Sequence, residues 1–432
     1  MRDYMNYDIN FVMNVTDIDD KIIKKSNAEQ KPFTEVARHF ENSFMDDMKA
    51  LNVELPDALT RVSEFVPEIV EYIETIIKNG FAYESNGSVY FDVQAYKASH
   101  EYPKLEPTNA KTLELLAEGE GALAAENKDK KSQFDFVLWK ASKEGEPKWV
   151  SPWGEGRPGW HIECSAMIFS HYGLSKIDIH SGGVDLKFPH HDNEIAQAEA
   201  FHQSHDWVNY WFHNGHLHIA GLKMSKSLKN FISIKKILEH YTARQVRILF
   251  LMHRWNSKMD CTPDQIAELN SGADVTNINL TFEKFFEEAL EKERQFSEFF
   301  KNVKSSMRNS LISKVYQKYN EQDRKLQNIY AEKELLIHNA LMDNFDTPLA
   351  LAELSNLVKA ANTYLMQPSD QIKVPLLRKV QRYVHRILQI FGLFEEDFGG
   401  SLDAEKGGAV SKEDVLQPVM EALINFRIDV RN

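Results

Sequence analysis

Cys164, His190, His191 and Glu194 are the residues whose types and spacing suggest chemistry most directly. Cys164 stands in RPGWHIECSAM, and the cluster that opens KFPHHDNEIAQAEAF places His190 26 residues later. His190 and Glu194 are four apart, so on a helix both side chains leave the same face. Pro189, just before them, suits a helix's first turn. A thiolate, an imidazole and a carboxylate are all donors that Zn²⁺ accepts, and three protein ligands leave one position open for substrate or water. Spacing alone leaves a structural reading open, with polar histidines at a helix start and Cys164 as a small buried hydrophobe.

A second group lies in GLKMSKSLKNFISIKK, residues 221 to 236, where Lys223, Lys226 and Lys229 alternate with serines after Gly221. Ammonium groups on such a loop act as point charges that offset charge building on a triphosphate. By composition it is equally a solvated basic loop. A third is NVTDIDDKI, with Asp17, Asp19 and Asp20 just past a short apolar run. Asn14, Thr16 and Asp17 would face a ligand beyond the carboxyl end of a parallel strand, or the carboxylates would cap a helix. HLHIAG, residues 216 to 221, reads as a strand edge rather than a nucleotide signature. Residues 375 to 391 place Arg378, Lys379, Arg382, His385 and Arg386 along one helix side, which suits an RNA backbone or a solvated face.

These groups need a scaffold. At 432 residues the chain has ample material for about two to four domains. No apolar run approaches a membrane span, and MRDYMNYDIN has neither a signal peptide's apolar core nor a transit peptide's acid-poor character, so the cytosol is expected. Two cysteines exclude a disulfide framework. Cys261, ahead of Thr262-Pro263, reads as structural. The formal charge of -13 means that a polyanionic partner must meet local basic patches.

DINFVM, residues 8 to 13, predicts a buried parallel strand. Residues 62 to 80 predict a helix, with Ser63 as N-cap and Asn79-Gly80 as its stop, and Asn86-Gly87 predicts a hairpin turn. Residues 106 to 132 are small and charged, which suits an exposed loop. After about residue 265 long amphipathic patterns take over, such as TPLALAELSNLVKAANTYL and VPLLRKVQRYVHRILQIFGLF.

KMSKS after an α/β domain is the second signature of class I aminoacyl-tRNA synthetases. NVTDIDDKI, PGWHIECSAM, GGVDLKFPHHDNE and KMSKSLKN, in that order, resemble the cysteinyl-tRNA synthetase family from about residue 5 to beyond residue 260. DFVLWKASKEGEPKW and SPWGEGRPGW resemble its eukaryotic cytosolic branch. The resemblance implies an α/β fold: a Rossmann-like parallel-sheet catalytic domain with an inserted helix-plus-hairpin subdomain, followed by an all-α helical bundle. The expected divisions are 1–60 and 149–204 for the catalytic domain, 61–148 for the insertion, 205–265 for the KMSKS region and 266–432 for a tRNA-contacting bundle.

It also implies ATP-dependent joining of L-cysteine to tRNA(Cys) in the cytoplasm, with Mg²⁺ accompanying ATP, in a homodimer or a synthetase assembly. Zn²⁺ would be held by two cysteines, a histidine and a glutamate, of which Cys164, His190 and Glu194 match three, with His191 outside the set. Lys226 matches the ATP-contacting lysine, Lys223 would share that catalytic role, and Thr16, Trp160 and His180 resemble residues of the amino-acid pocket. The family's HIGH motif and first zinc cysteine belong before NVTDIDDKI, where this sequence prints 13 residues without them. The chain is therefore expected to be a truncated form of impaired activity, incomplete also at its C-terminal end. The rival expectation is a non-catalytic tRNA-binding or assembly protein that keeps the fold. An enzyme joining cysteine to a small amine is less consistent with the long helical half.

Overall fold

The computed structural model describes residues 1–107, 129–173, 176–219, 221–224, 231–261, 278–310 and 318–394, with Met420 and Arg427. Lys226, Lys229, most of the 106–132 loop and Thr262-Pro263 lie outside the described residues.

Three parallel strand pairs, each closed over a helical crossover, build the α/β half. β1 (Val12–Val15) pairs with β2 (Ala58–Arg61), joined through α1 (Asp20–Glu29) and α2 (Phe33–Ala50). β8 (Ile177–Gly183) and β9 (Val208–Asn214) pair in the same sense, joined by the segment that carries KFPHHDNE. β10 (Leu217–Ile219) pairs in parallel with β12 (Met259–Cys261) and antiparallel with β11 (Leu222–Lys223). The crossover from β10 to β12 carries the helix Ala243–Leu251. Parallel strands need such crossovers, because a tight turn cannot reverse the chain twice.

Two expectations shift here. The first strand begins at Val12, not Asp8, because the Asp57 carboxylate takes the Phe11 amide at 2.7 Å and Tyr7 and Phe11 stay exposed. β10 has a neighbour on each side, so HLHIAG is no sheet edge.

The insertion is larger than a helix and a hairpin. α3 (Val66–Lys78) is followed by β3 (Ala82–Ser85) and β4 (Ser88–Phe91), joined by Asn86-Gly87 with φ of 52° and 78°, as a tight hairpin turn requires. β5 (Phe136–Ala141), β6 (Trp149–Ser151) and β7 (Gly154–Pro158) extend this to five antiparallel strands in the order β3-β4-β5-β7-β6. The sheet thus continues past residue 148. Ser63 is not the cap of α3: its amide and hydroxyl both donate to Asp17, at 2.9 and 2.5 Å, and the helix starts at Val66 with Pro67 in its first turn. Ile69, Ile73 and Ile76 of α3 pack against Phe91, Phe136 and Trp139 of the sheet and Ile162 and Ala166 of α4 (Trp160–Tyr172), making one core from insertion and catalytic domain.

α6 (Ala243–Leu251) leads to the helical half, α7 (Ile278–Ser310), α8 (Glu321–Met342), α9 (Thr347–Tyr364) and α10 (Val374–Ile390). Its core of Phe296, Phe299, Phe300, Leu354, Leu377 and Val384 also takes in Ile219 and fully buried Cys261. Arg247 of α6 donates to the Phe391 carbonyl at 2.7 and 3.0 Å and to the Leu51 carbonyl at 3.3 Å. Arg244 donates to the Leu393 carbonyl at 2.6 Å, and Asn52 to that of Gly392 at 2.9 Å. Among the described residues no helix is long and apolar enough to cross a membrane.

Candidate metal and substrate site

Cys164 lies on the buried face of α4, which starts at Trp160 after the extended Gly159. Between β8 and α5 (Asp192–His202), Phe188 interrupts the helical path with φ −138° and ψ 134°, and the turn from Pro189 brings His190 into line with Glu194. The result is a buried triad. His190 Nε2 lies 3.4 Å from Cys164 Sγ and 2.9 Å from Glu194 Oε1, and the three donor atoms sit within 4.8 Å of one another.

A tetrahedral zinc with bonds of about 2.0–2.3 Å sets its ligand atoms about 3.3–3.7 Å apart, so the Cys164–His190 separation fits as it stands and the His190–Glu194 separation fits with a few tenths of an ångström of spreading. Two further observations favour a cation. Both Glu194 oxygens are fully buried without an aligned hydrogen-bond donor, although His180 Nε2 approaches Oε2 to 3.0 Å. His190 Nδ1 meets His161 Nδ1 at 3.0 Å, and a proton donated from His190 across that contact leaves the Nε2 lone pair facing Cys164 and Glu194, the tautomer a metal ligand needs.

Burial and charge act on each member of the site differently. Burial alone would raise Glu194, but His180 and His190 outweigh it and hold the carboxyl well below the usual range. Burial, followed by Glu194 and Glu163, pushes the Cys164 thiol well up. Burial keeps His161 well below the ordinary imidazole value and lowers His191 to about 3. The site as it stands is a buried nest of histidines around the Glu194 carboxylate.

Trp160, His180 and Thr16, expected from the sequence at an amino-acid pocket, each neighbour the triad or the residue beside it. Trp160 stacks on the His190 ring at 4.5 Å and is 36% exposed, so one face of the triad is roofed by an accessible indole. His180, on β8, packs on His191 at 4.6 Å and edge-on to Trp211 at 5.0 Å. Thr16, at the end of β1, donates to Glu163 at 2.9 Å, next to Cys164 on α4. Lys223 stands on β11, half exposed, with its ammonium 2.9 Å from Asp185.

Several residues here escaped the sequence reading. His161 flanks His190, and His213 bonds His191 at 2.8 Å. Asn14, by contrast, was read in the sequence as facing a ligand, and it donates to Cys164 Sγ at 3.5 Å. Asp185 holds both Lys223 and His216, the latter at 2.9 Å. Glu194 is also shared: its carboxylate groups with His180 and His191 as well as with Cys164 and His190. The density of histidines in WHIE, DIH, HH and HNGHLH was the available signal.

A parallel α/β half with a buried Cys-His-Glu cluster at its heart and a lysine-bearing strand beside it defines a class I synthetase catalytic domain. The family model described as tRNA synthetases class I (C) catalytic domain matches residues 1–271, and the chain belongs to that family. A DALR domain model matches residues 337–395, which begin in α8 and include α9 and α10.

Among similar proteins is the "Cysteine--tRNA ligase, cytoplasmic" of Dictyostelium discoideum, 46% identical over 100% of this chain and 63% of its own length. The chicken and human proteins of the same name are each 44% identical over 92% of this chain and 52% of theirs. The chain thus spans between about half and 63% of the length of these relatives. Among solved structures, a Mycobacterium tuberculosis methionyl-tRNA synthetase in complex with methionyl-adenylate matches 88% of this chain and 81% of its own at a TM-score of 0.58 and 15% identity, a likeness of fold.

Proposed function

We propose that this chain carries the cysteine-activating machinery of a cytoplasmic cysteine--tRNA ligase, working on L-cysteine, ATP with Mg²⁺ and tRNA(Cys), in a homodimer or a synthetase assembly. The single observation that carries this reading is the buried Cys164, His190 and Glu194 triad beneath Trp160. Its support in sequence is the similarity to relatives of that name.

Cysteine and serine have nearly the same shape, and shape discriminates such isosteres poorly. A zinc ion held by Cys164, His190 and Glu194 would bind a thiolate in preference to a hydroxyl, which is the selectivity that shape cannot supply. Around it, Trp160 covers the amino acid, and Thr16 and His180 line its pocket. The substrate carboxylate oxygen attacks the α-phosphorus of ATP, forming the mixed anhydride as the bond to pyrophosphate breaks. A terminal ribose hydroxyl of the tRNA then attacks the carbonyl and AMP leaves. Lys223 and Lys226 offset the negative charge growing on the phosphates. In this reading residues 1–60 and 149–204 form the catalytic domain, 61–148 its insertion, 205–265 the KMSKS region and 266–432 the tRNA-facing bundle.

Cysteine-dependent exchange of pyrophosphate into ATP, measured against serine, tests the activity. Metal analysis of the purified protein beside Cys164→Ser and Glu194→Ala tests the site. Equal zinc in all three removes it.

A further inference from the structure

We infer that His100, Glu199 and His205 form a separate metal site for a divalent, zinc-like ion, fastening the insertion to the end of α5. Glu199 is five residues beyond Glu194 on α5, so its side chain leaves the helix on another side. It is 2% exposed and faces the segment that follows the short helix Val93–Lys97. The donor atoms of His100, Glu199 and His205 lie within 4.8 Å of one another, with His205 Nδ1 already 3.5 Å from Glu199 Oε2.

The surroundings resemble those of a held ligand set. Lys104 grips Oε1 of Glu199 and the Tyr96 hydroxyl donates to Oε2, which fixes the carboxylate from outside the site, as ligating carboxylates are usually fixed. The His100 ring is stacked flat on Tyr96 at 4.4 Å, and its Nδ1 lies 2.8 Å from the Ser99 hydroxyl. His205 approaches from the turn after α5, where Gln203 takes a left-handed conformation, and its side chain is 68% exposed. His205 is therefore the ligand most able to adjust to a tetrahedral edge of about 3.5 Å, the distance at which it already stands from Glu199. Two imidazoles and one carboxylate suit Zn²⁺, Ni²⁺ or Cu²⁺ rather than Ca²⁺ or Mg²⁺, and leave a position for water. Bound there, the ion ties residues 96–105 to the helix that carries Glu194.

The site is tested on the chelator-stripped protein titrated with Zn²⁺. The wild type binds one equivalent more than His205→Ala, an exposed substitution that spares the core. His100→Phe keeps the ring on Tyr96 while removing the nitrogen donors, and loses the same equivalent. Co²⁺ as a probe separates this site from the Cys164 triad. Absorption from a thiolate-to-cobalt transfer survives in His205→Ala and vanishes in Cys164→Ser. Ligand-field bands without that absorption persist in Cys164→Ser and vanish when His205→Ala is added. Equal stoichiometry in the wild type and both histidine variants, or an extra equivalent that saturates only at millimolar Zn²⁺, overturns the inference whatever the triad does.

Discussion

Glutamine in place of Glu41 removes a charge that two arginines, one on α2 and one on β2, share. The Glu41 side chain, on α2, is 7% exposed and takes Arg61 of β2 through both oxygens, at 2.8 and 2.9 Å, with Arg38 at 2.9 Å. Breaking a buried pair from one side costs about 3–5 kcal/mol, because the remaining charge is stranded. Two features lower the figure here. Arg61 is 19% exposed and keeps Glu64 at 3.2 Å, while Arg38 is 49% exposed, where an ion pair contributes about 0.3–0.5 kcal/mol. Glu41→Gln should therefore destabilise the β1/β2 region by about 2–3 kcal/mol, which at a urea dependence of about 1–3 kcal/mol per molar moves the midpoint by about 1 M or more.

The pH dependence follows from the direction of the shift. Arg61's hydrogen bonds, against the opposing effect of burial and with help from Arg38, hold the Glu41 carboxyl below its ordinary value. A depressed folded pKa contributes stability that is complete above the unfolded value of about 4.3 and is lost as pH falls through the folded one. Urea unfolding by tryptophan fluorescence should show the full gap between wild type and Glu41→Gln at neutral pH, and a closing gap in acid. A variant within about 0.5 kcal/mol of wild type at neutral pH refutes the reasoning, as would a gap indifferent to acid.

Gly215 joins β9 to β10 where an added Cβ would lie 2.0 Å from the Ser257 carbonyl oxygen, so Gly215→Ala should cost about 2–3 kcal/mol, read as a lowered thermal midpoint. Asp323, fully buried, accepts from the Asn320 amide at 2.7 Å and the Tyr364 hydroxyl at 2.6 Å. Its replacement by alanine should lower the stability of the helical half by about 2–3 kcal/mol in calorimetry. Asp185→Asn weakens a half-exposed pair with Lys223 and should cost under about 1 kcal/mol. Under the proposed function it should instead raise KM for ATP in pyrophosphate exchange.

Legibility varied with the range of the interaction. The Asn86-Gly87 hairpin was readable because the left-handed backbone at both positions is a local demand. α3 and α10 were readable because one buried stripe recurs at helical spacing. The small antiparallel sheet beyond β4 was not, since β6 and β7 are only three and five residues long, β7 carries two glycines, and its pairing with β5 joins segments about 17 residues apart. Ser63 was misassigned because a capping residue and a partner for Asp17 look alike in sequence. At the site, His190 and Glu194 share a helical face and were visible as a pair. Cys164's place beside them was carried by motif order, and the flanking His161, His213 and Asp185 come from elements whose meeting no local spacing records.

Arg244, Arg247 and Asn52 all grip main-chain oxygens at the end of α10. Every amino acid supplies such an oxygen, so these bonds do not depend on which side chains stand at 391 and 393, unlike the Arg244 contacts with Phe394 and Glu293 beside them. A history of surface change in the helical half would therefore leave these bonds their acceptors. Gly392 is the exception that such a history should respect. Its φ is 66°, and a Cβ there would sit 2.7 Å from the Arg247 guanidinium.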